Sequence, residues 1–227
     1  MPCNNGLRVY PRPDPDNAGV GINYLQMDIL NELYYGLLNM GWLEGFGVFF
    51  GILYIYFAAK EMIWCWYASL VSVSIYLVIC YQVQLYAEMG LNFYYLGTTI
   101  YGWWHWRNPG KKKKELPITK MKMKEHGLFI ITGILFTFGL GYFLIENTDA
   151  QLPYLDSFTT VFAVLTTLLV TRKVLENWLY WMVIDAVAVY IYFQRELFLT
   201  SLLMAAYVVI AAVGYLHWRR LYHTKYA

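Results

Sequence analysis

Seven apolar runs, at 40–59, 63–81, 91–106, 127–145, 155–171, 178–193 and 200–218, leave this chain few folds to choose from. Each holds 16 residues or more, close to the roughly 20 that a helix needs to cross the hydrocarbon core. Trp, Tyr and Gln flank the shorter runs and extend them into the interface. Only 14% of residues are charged, against about 25% in a soluble domain. The expected fold class is therefore an all-α integral membrane protein with seven transmembrane helices. No basic start followed by an apolar core marks a signal peptide in the first 20 residues.

Charge placement orients the spans. Of the 17 Lys and Arg residues, eight lie in the connection 107–126, where Lys111 to Lys114 form a run. By the positive-inside rule that connection is cytoplasmic. Alternation then puts Lys60, Arg172, Lys173, Arg219, Arg220 and Lys225 inside and only Arg8, Arg12 and Arg195 outside. The N-terminus is expected outside and the C-terminus inside.

A shift of 112 residues lays the chain on itself without a gap. Trp66 falls on Trp178, Tyr95 on Tyr207, Gly102 on Gly214, and His105-Trp106-Arg107 on His217-Trp218-Arg219. Apolar matches come easily in membrane proteins, but Trp, His and Arg in register do not. The shift moves four spans, an even number, so both copies cross in the same direction. The expected organisation has five parts. Residues 1–39 form an extramembrane tail plus an interfacial amphipathic helix from Ile22, and 40–107 form a first three-helix repeat. Residues 108–150 form a basic loop and linker helix, 151–219 a second three-helix repeat, and 220–227 a cytoplasmic tail. Parallel repeats about an axis along the membrane normal are a transporter plan, with the site near midplane between the halves. Gly45, Gly47, Gly51, Gly97 and Gly102 would let helices approach closely.

Polar residues inside such spans are the candidates for chemistry. Asn177, Trp181 and Asp185 recur every four residues, so they form a stripe on one helix face. An indole offers a stacking surface, while Asn and Asp offer directional hydrogen bonds. An anionic Asp185 beside indole faces suits a cationic ring. Ser72, Ser74, Thr98, Thr99 and Tyr101 are candidates in the other half, with Gln82, Gln84 and Asn92 at its outer side. Asp156 reads equally as an outer-mouth ligand or a helix N-cap. Trp106, Trp218, His105 and His217 beside Arg read as interface anchors, and most Tyr as aromatic belts. Cys3, Cys65 and Cys80 have no metal spacing and read as small fillers.

The span cores hold no Lys or Arg, which argues against a phosphorylated substrate and a retinal Schiff base. Nor is there a metal cluster, a Ser-His-Asp set or a chain of carboxylates for proton coupling. An enzyme is not expected, and neither are a cofactor, a metal or a nucleic-acid partner.

Thr171-Arg172-Lys173-x-x-Glu176-Asn177-Trp178-x-x-Trp181 resembles the signature of the PnuC family of bacterial nicotinamide riboside transporters. So do Gln82-Val83-Gln84-Leu85-Tyr86-Ala87 and Ile100-Tyr101-Gly102-Trp103. The resemblance runs from about Trp42 to Trp218. It implies a fold similar to the sugar-carrying SWEET proteins and uptake of nicotinamide riboside across the bacterial inner membrane without a coupling ion. A cytoplasmic kinase would trap the product. The site residues it implies are Asn177, Trp181, Gln82, Gln84, Thr98 and Tyr101. A carrier for thiamine or a flavin precursor, a seven-helix receptor or membrane enzyme, and a structural scaffold are the rival readings. Self-association stays open.

Overall fold

The computed structural model describes Tyr34 and residues 41–82, 84–110, 115–195 and 197–226. The expected tail and interfacial helix, apart from Tyr34, lie outside the described residues, as do Cys3 and Lys111 to Lys114. Seven long helices make up the described chain: α1 (Trp42–Ala59), α2 (Trp64–Gln82), α3 (Tyr86–Arg107), α4 (Met123–Asn147), α5 (Pro153–Thr171), α6 (Asn177–Gln194) and α7 (Phe198–Leu221). One wider-wound turn, Tyr222–Tyr226, follows α7. Five helices, α1, α2, α4, α5 and α7, are long and apolar enough to cross a membrane. The remaining two, α3 and α6, are rich in Trp and Tyr along their length.

Local chemistry sets the helix ends. Pro153 opens α5, where its missing N–H costs nothing. At α4 the backbone N–H of Lys122 donates to Glu125 Oε2 at 2.6 Å, the glutamate half of a capping box. Gln84 has a left-handed backbone, φ 59°, just past the end of α2, and Leu85 N donates back to Cys80 O at 2.9 Å. Leu197 N repeats that bond to Tyr192 O at 2.9 Å after α6.

Packing carries the 112-residue register. Helix α1 packs on α2 as α5 does on α6, α2 on α3 as α6 on α7, and α1 on α7 as α5 on α3. Helix α4 packs outside this set against α5, where a side chain at Gly133 would strike the Phe162 ring at 2.3 Å. Two further close contacts occupy positions 112 residues apart. A Cβ at Gly102 would come within 2.3 Å of the Trp66 ring, and one at Gly214 within 2.9 Å of the Trp178 ring. Trp66 in turn meets Trp106 edge-on (5.3 Å, 88°), and Trp178 meets Trp218 in the same way (5.5 Å, 86°). Open space surrounds Gly97, so it mediates no helix contact.

Trp106 and Trp218 are not interface anchors. They are 6% and 0% exposed, and their rings touch at 6.2 Å. Each donates its indole N–H to the other unit's backbone: Trp106 to Thr171 O at 3.1 Å and Trp218 to Ala58 O at 3.0 Å. A buried indole needs a partner for its N–H, and these carbonyls supply one. Cys65 and Cys80 are buried, as small fillers should be.

The basic connection lies against one end of the bundle. Thr119 pairs with Val174 in an isolated parallel bridge, with Thr119 N to Lys173 O at 2.9 Å and Leu175 N to Thr119 O at 2.8 Å. Ile118 is buried beneath it at 2% exposure. Lys120 stands over the Tyr222 ring. The connection, the α5–α6 turn and the C-terminal turn thus share that end.

Candidate functional site

A cavity of about 410 Å³ opens among six of the seven helices. Its size is that of a small-molecule site. Six helices line it: Gly51, Tyr54 and Ala58 of α1, Trp66, Ser69 and Ser72 of α2, Tyr95, Thr98 and Thr99 of α3, Thr167 and Val170 of α5, Trp178, Trp181 and Asp185 of α6, and Met204, Tyr207 and Ala211 of α7. No residue of α4 is among them.

Backbone direction sorts the wall by depth. Ala58, Trp66, Val170, Trp178 and Ala211 form the end nearest the Trp106–Trp218 contact. Gly51, Tyr95, Asp185, Met204 and Tyr207 form the other end. Between them stands Trp181, one helical turn, about 6 Å, from Asp185.

Most wall hydroxyls are spent on protein. Ser69 Oγ and Thr99 Oγ1 are bonded to each other at 2.7 Å. Ser72 Oγ donates to Gly47 O at 2.9 Å, Thr98 Oγ1 to Tyr95 O at 3.0 Å, and Thr167 Oγ1 to Ala163 O at 2.8 Å. Among the described residues, no hydrogen bond or ion pair reaches the carboxylate of Asp185 or the hydroxyls of Tyr54, Tyr95 and Tyr207. The unspent polar groups of the wall residues are therefore the Asp185 carboxylate, the phenols of Tyr54, Tyr95 and Tyr207, and the indole N–H groups of Trp66 and Trp178. No Lys or Arg lines the cavity.

The helix-six stripe divides at its first residue. Trp181 and Asp185 line the cavity with Thr98. Asn177 does not; it is wholly buried, and its Nδ2 donates to Val174 O at 2.6 Å, bracing the α5–α6 turn. Tyr101 is 39% exposed and stacks on His105 at 5.5 Å, away from the cavity. Gln82 and Gln84 are exposed at the end of α2. Asn92 bonds its own helix at Glu88 O, 2.9 Å, and approaches Cys80 Sγ at 3.9 Å. Asp156 is not an N-cap: it lies inside the first turn of α5 and pairs with Arg195 at 2.5 Å. That pair is part-exposed, so Asp156→Ala is expected to cost less than about 1 kcal/mol. Thermal unfolding of the purified variant checks this.

Tyr54, Tyr95 and Tyr207, which the sequence reading did not single out as site residues, line the cavity, as do Trp66 and Trp178. The signal that could have found them was the register itself: Tyr95 repeats as Tyr207 and Trp66 as Trp178.

The model of the family "Nicotinamide mononucleotide transporter" matches residues 41–220. The nicotinamide riboside transporter PnuC of Escherichia coli (strain K12) is 27% identical, over 81% of this chain and 87% of its own. Its namesake from Neisseria mucosa is 26% identical, over 79% and 73%. A crystal structure of the vitamin B3 transporter PnuC matches with a TM-score of 0.64 over 93% of this chain and 94% of that one, at 23% identity. That likeness establishes the shared fold. Because the family model spans well over half of the chain, the protein belongs to the nicotinamide mononucleotide transporter family and is a multi-pass membrane transporter, not an enzyme.

Proposed function

We propose that the protein carries nicotinamide riboside across a bacterial inner membrane by facilitated, alternating access. The observation that carries this reading is the cavity between the repeat units, with aromatic walls, one carboxylate and no basic residue. Nicotinamide riboside is a flat pyridinium cation with an amide and ribose hydroxyls. Trp181 offers its ring a face, Asp185 offers a counter-charge, and the phenols offer partners for the hydroxyls.

The family is named for the mononucleotide, but the cavity supports the riboside. A phosphate would enter a wall that lacks Lys and Arg and holds a carboxylate, where like charge and lost hydration both oppose it. Calorimetry on the purified protein tests the choice. Nicotinamide riboside is expected to bind, with the mononucleotide and thiamine binding far more weakly or not at all. Tighter binding of either one overturns the assignment. Asp185→Asn is expected to weaken the cationic riboside by roughly tenfold, the scale of a charge-assisted contact. The uncharged dihydro form of the riboside should bind both proteins alike.

In this reading α1–α3 and α5–α7 are parallel repeats, all seven helices span, the N-terminus is outside and the basic end is cytoplasmic. The gathering of the basic connection, the α5–α6 turn and the C-terminal turn at one end supports that orientation. No coupling group is evident in the cavity wall beyond Asp185, so the carrier equalises concentrations and phosphorylation by a cytoplasmic kinase drives accumulation.

A further inference from the structure

Two turns, one closing α1 and one closing α5, repeat each other bond for bond. In the first, Glu61 N donates to Ala58 O at 3.0 Å and Met62 N to Phe57 O at 2.9 Å. In the second, Lys173 N donates to Val170 O at 3.0 Å and Val174 N to Leu169 O at 3.0 Å. The central residue of each turn is left-handed, with φ 60° at Glu61 and 51° at Lys173. Glycine is the natural occupant of such a position. Here both copies hold a long charged side chain instead, and the two side chains meet. Lys173 Nζ lies 2.7 Å from Glu61 Oε1, with side-chain exposures of 6% and 7%. Residues 112 apart that touch each other must lie at the axis relating the units. Lys173 Nζ also stands 4.4 Å over the Trp106 ring.

The surroundings show what the pair closes. The crossed bonds from Trp106 and Trp218 lie at the same end, also between units. Away from that end, among the described residues, the polar tie between units is Tyr94 OH to Val164 O at 2.7 Å, while Asp156–Arg195 and Ser201–Val189 stay within the second unit. The units are thus bolted together at the basic end of the cavity.

We propose that Glu61 and Lys173 form the latch closing the basic end, and that release of cargo there requires the pair to separate. This rests on the alternating-access reading above. Ions suit the role. Dry and paired, each cancels the other's desolvation; parted at a wet mouth, both are rehydrated. An apolar closure would stay costly to expose. Left-handed turns aim both side chains at the axis, which explains why glycine is absent from them.

Cys65, fully buried four residues beyond Glu61, can report the opening. With Cys3→Ser and Cys80→Ala as background, a membrane-impermeant maleimide is added to either face of vesicles holding the full chain. Glu61→Gln and Lys173→Met are each expected to speed labelling of Cys65 from the basic face by about tenfold or more, since either change removes the ion pair that ties the two turns together. Labelling from the opposite face should not rise. The swap Glu61→Lys with Lys173→Glu should return labelling toward the parent rate, which a merely disturbed turn would not do. Unchanged labelling in the single variants, or a swap as fast as they are, overturns the proposal. If the single variants do not fold, Glu61→Gln with Lys173→Gln is compared with the swap, and equal rates overturn it. Calorimetry with nicotinamide riboside on the parent separates the two ideas: no binding removes the cargo, while the labelling still judges the latch.

Discussion

Trp181→Ala is expected to weaken nicotinamide riboside binding by roughly 10- to 100-fold, measured by calorimetry on purified protein. A cation over a desolvated indole is worth up to about 2 kcal/mol, and the lost stacking area adds to it. The residue stands where this matters, on the cavity wall one turn from the unpaired Asp185 carboxylate. Trp181→Phe should recover most of the loss, since it keeps a ring face while shedding the indole N–H. An unchanged affinity in the alanine variant would remove Trp181 from the site. Asn177→Ala makes an informative partner. Its amide is wholly buried on the Val174 carbonyl, so its main effect should appear in thermal stability, with affinity following only as the α5–α6 turn loosens.

Gly102→Ala is the largest expected loss of stability. The added methyl would sit 2.3 Å from Trp66, a rigid ring already wedged against Trp106. Overpacking of this kind costs about 1–3 kcal/mol, and more where the neighbour cannot yield. Gly214→Ala places the methyl 2.9 Å from Trp178 and should cost distinctly less. The order of the two melting temperatures in detergent is the measurement. Reversal, or neutrality of both, would contradict the interlocked Gly–Trp packing. Because Trp66 lines the cavity floor, Gly102→Ala should also lower riboside affinity.

The helices were legible because hydropathy and the 112-residue register are written at every turn of the chain. What failed was the assignment of aromatic residues by type. A Trp next to Arg reads as an interface anchor, yet Trp106 and Trp218 face inward, because a helix turns roughly 100° per residue and adjacent positions point apart. Tyrosines of a belt and tyrosines of a cavity are the same residue; only pairing Tyr95 with Tyr207 across the repeat separates them. Polarity misled in another way. Gln84 marks a left-handed helix end, and Asn92 bonds its own helix. Lys173, counted only among the charges that mark the inner side, is 5% exposed because it pairs with Glu61. Partners so distant in the chain leave no local trace.

That last contact has a bearing on ancestry. Were the two halves separate identical chains, the residue at this spot would confront its own twin, Glu against Glu or Lys against Lys. Opposite signs can meet there only once the two copies are encoded separately and each can mutate alone. Residues 40–107 expressed by themselves should therefore pair poorly, and Glu61→Gln should improve their self-association.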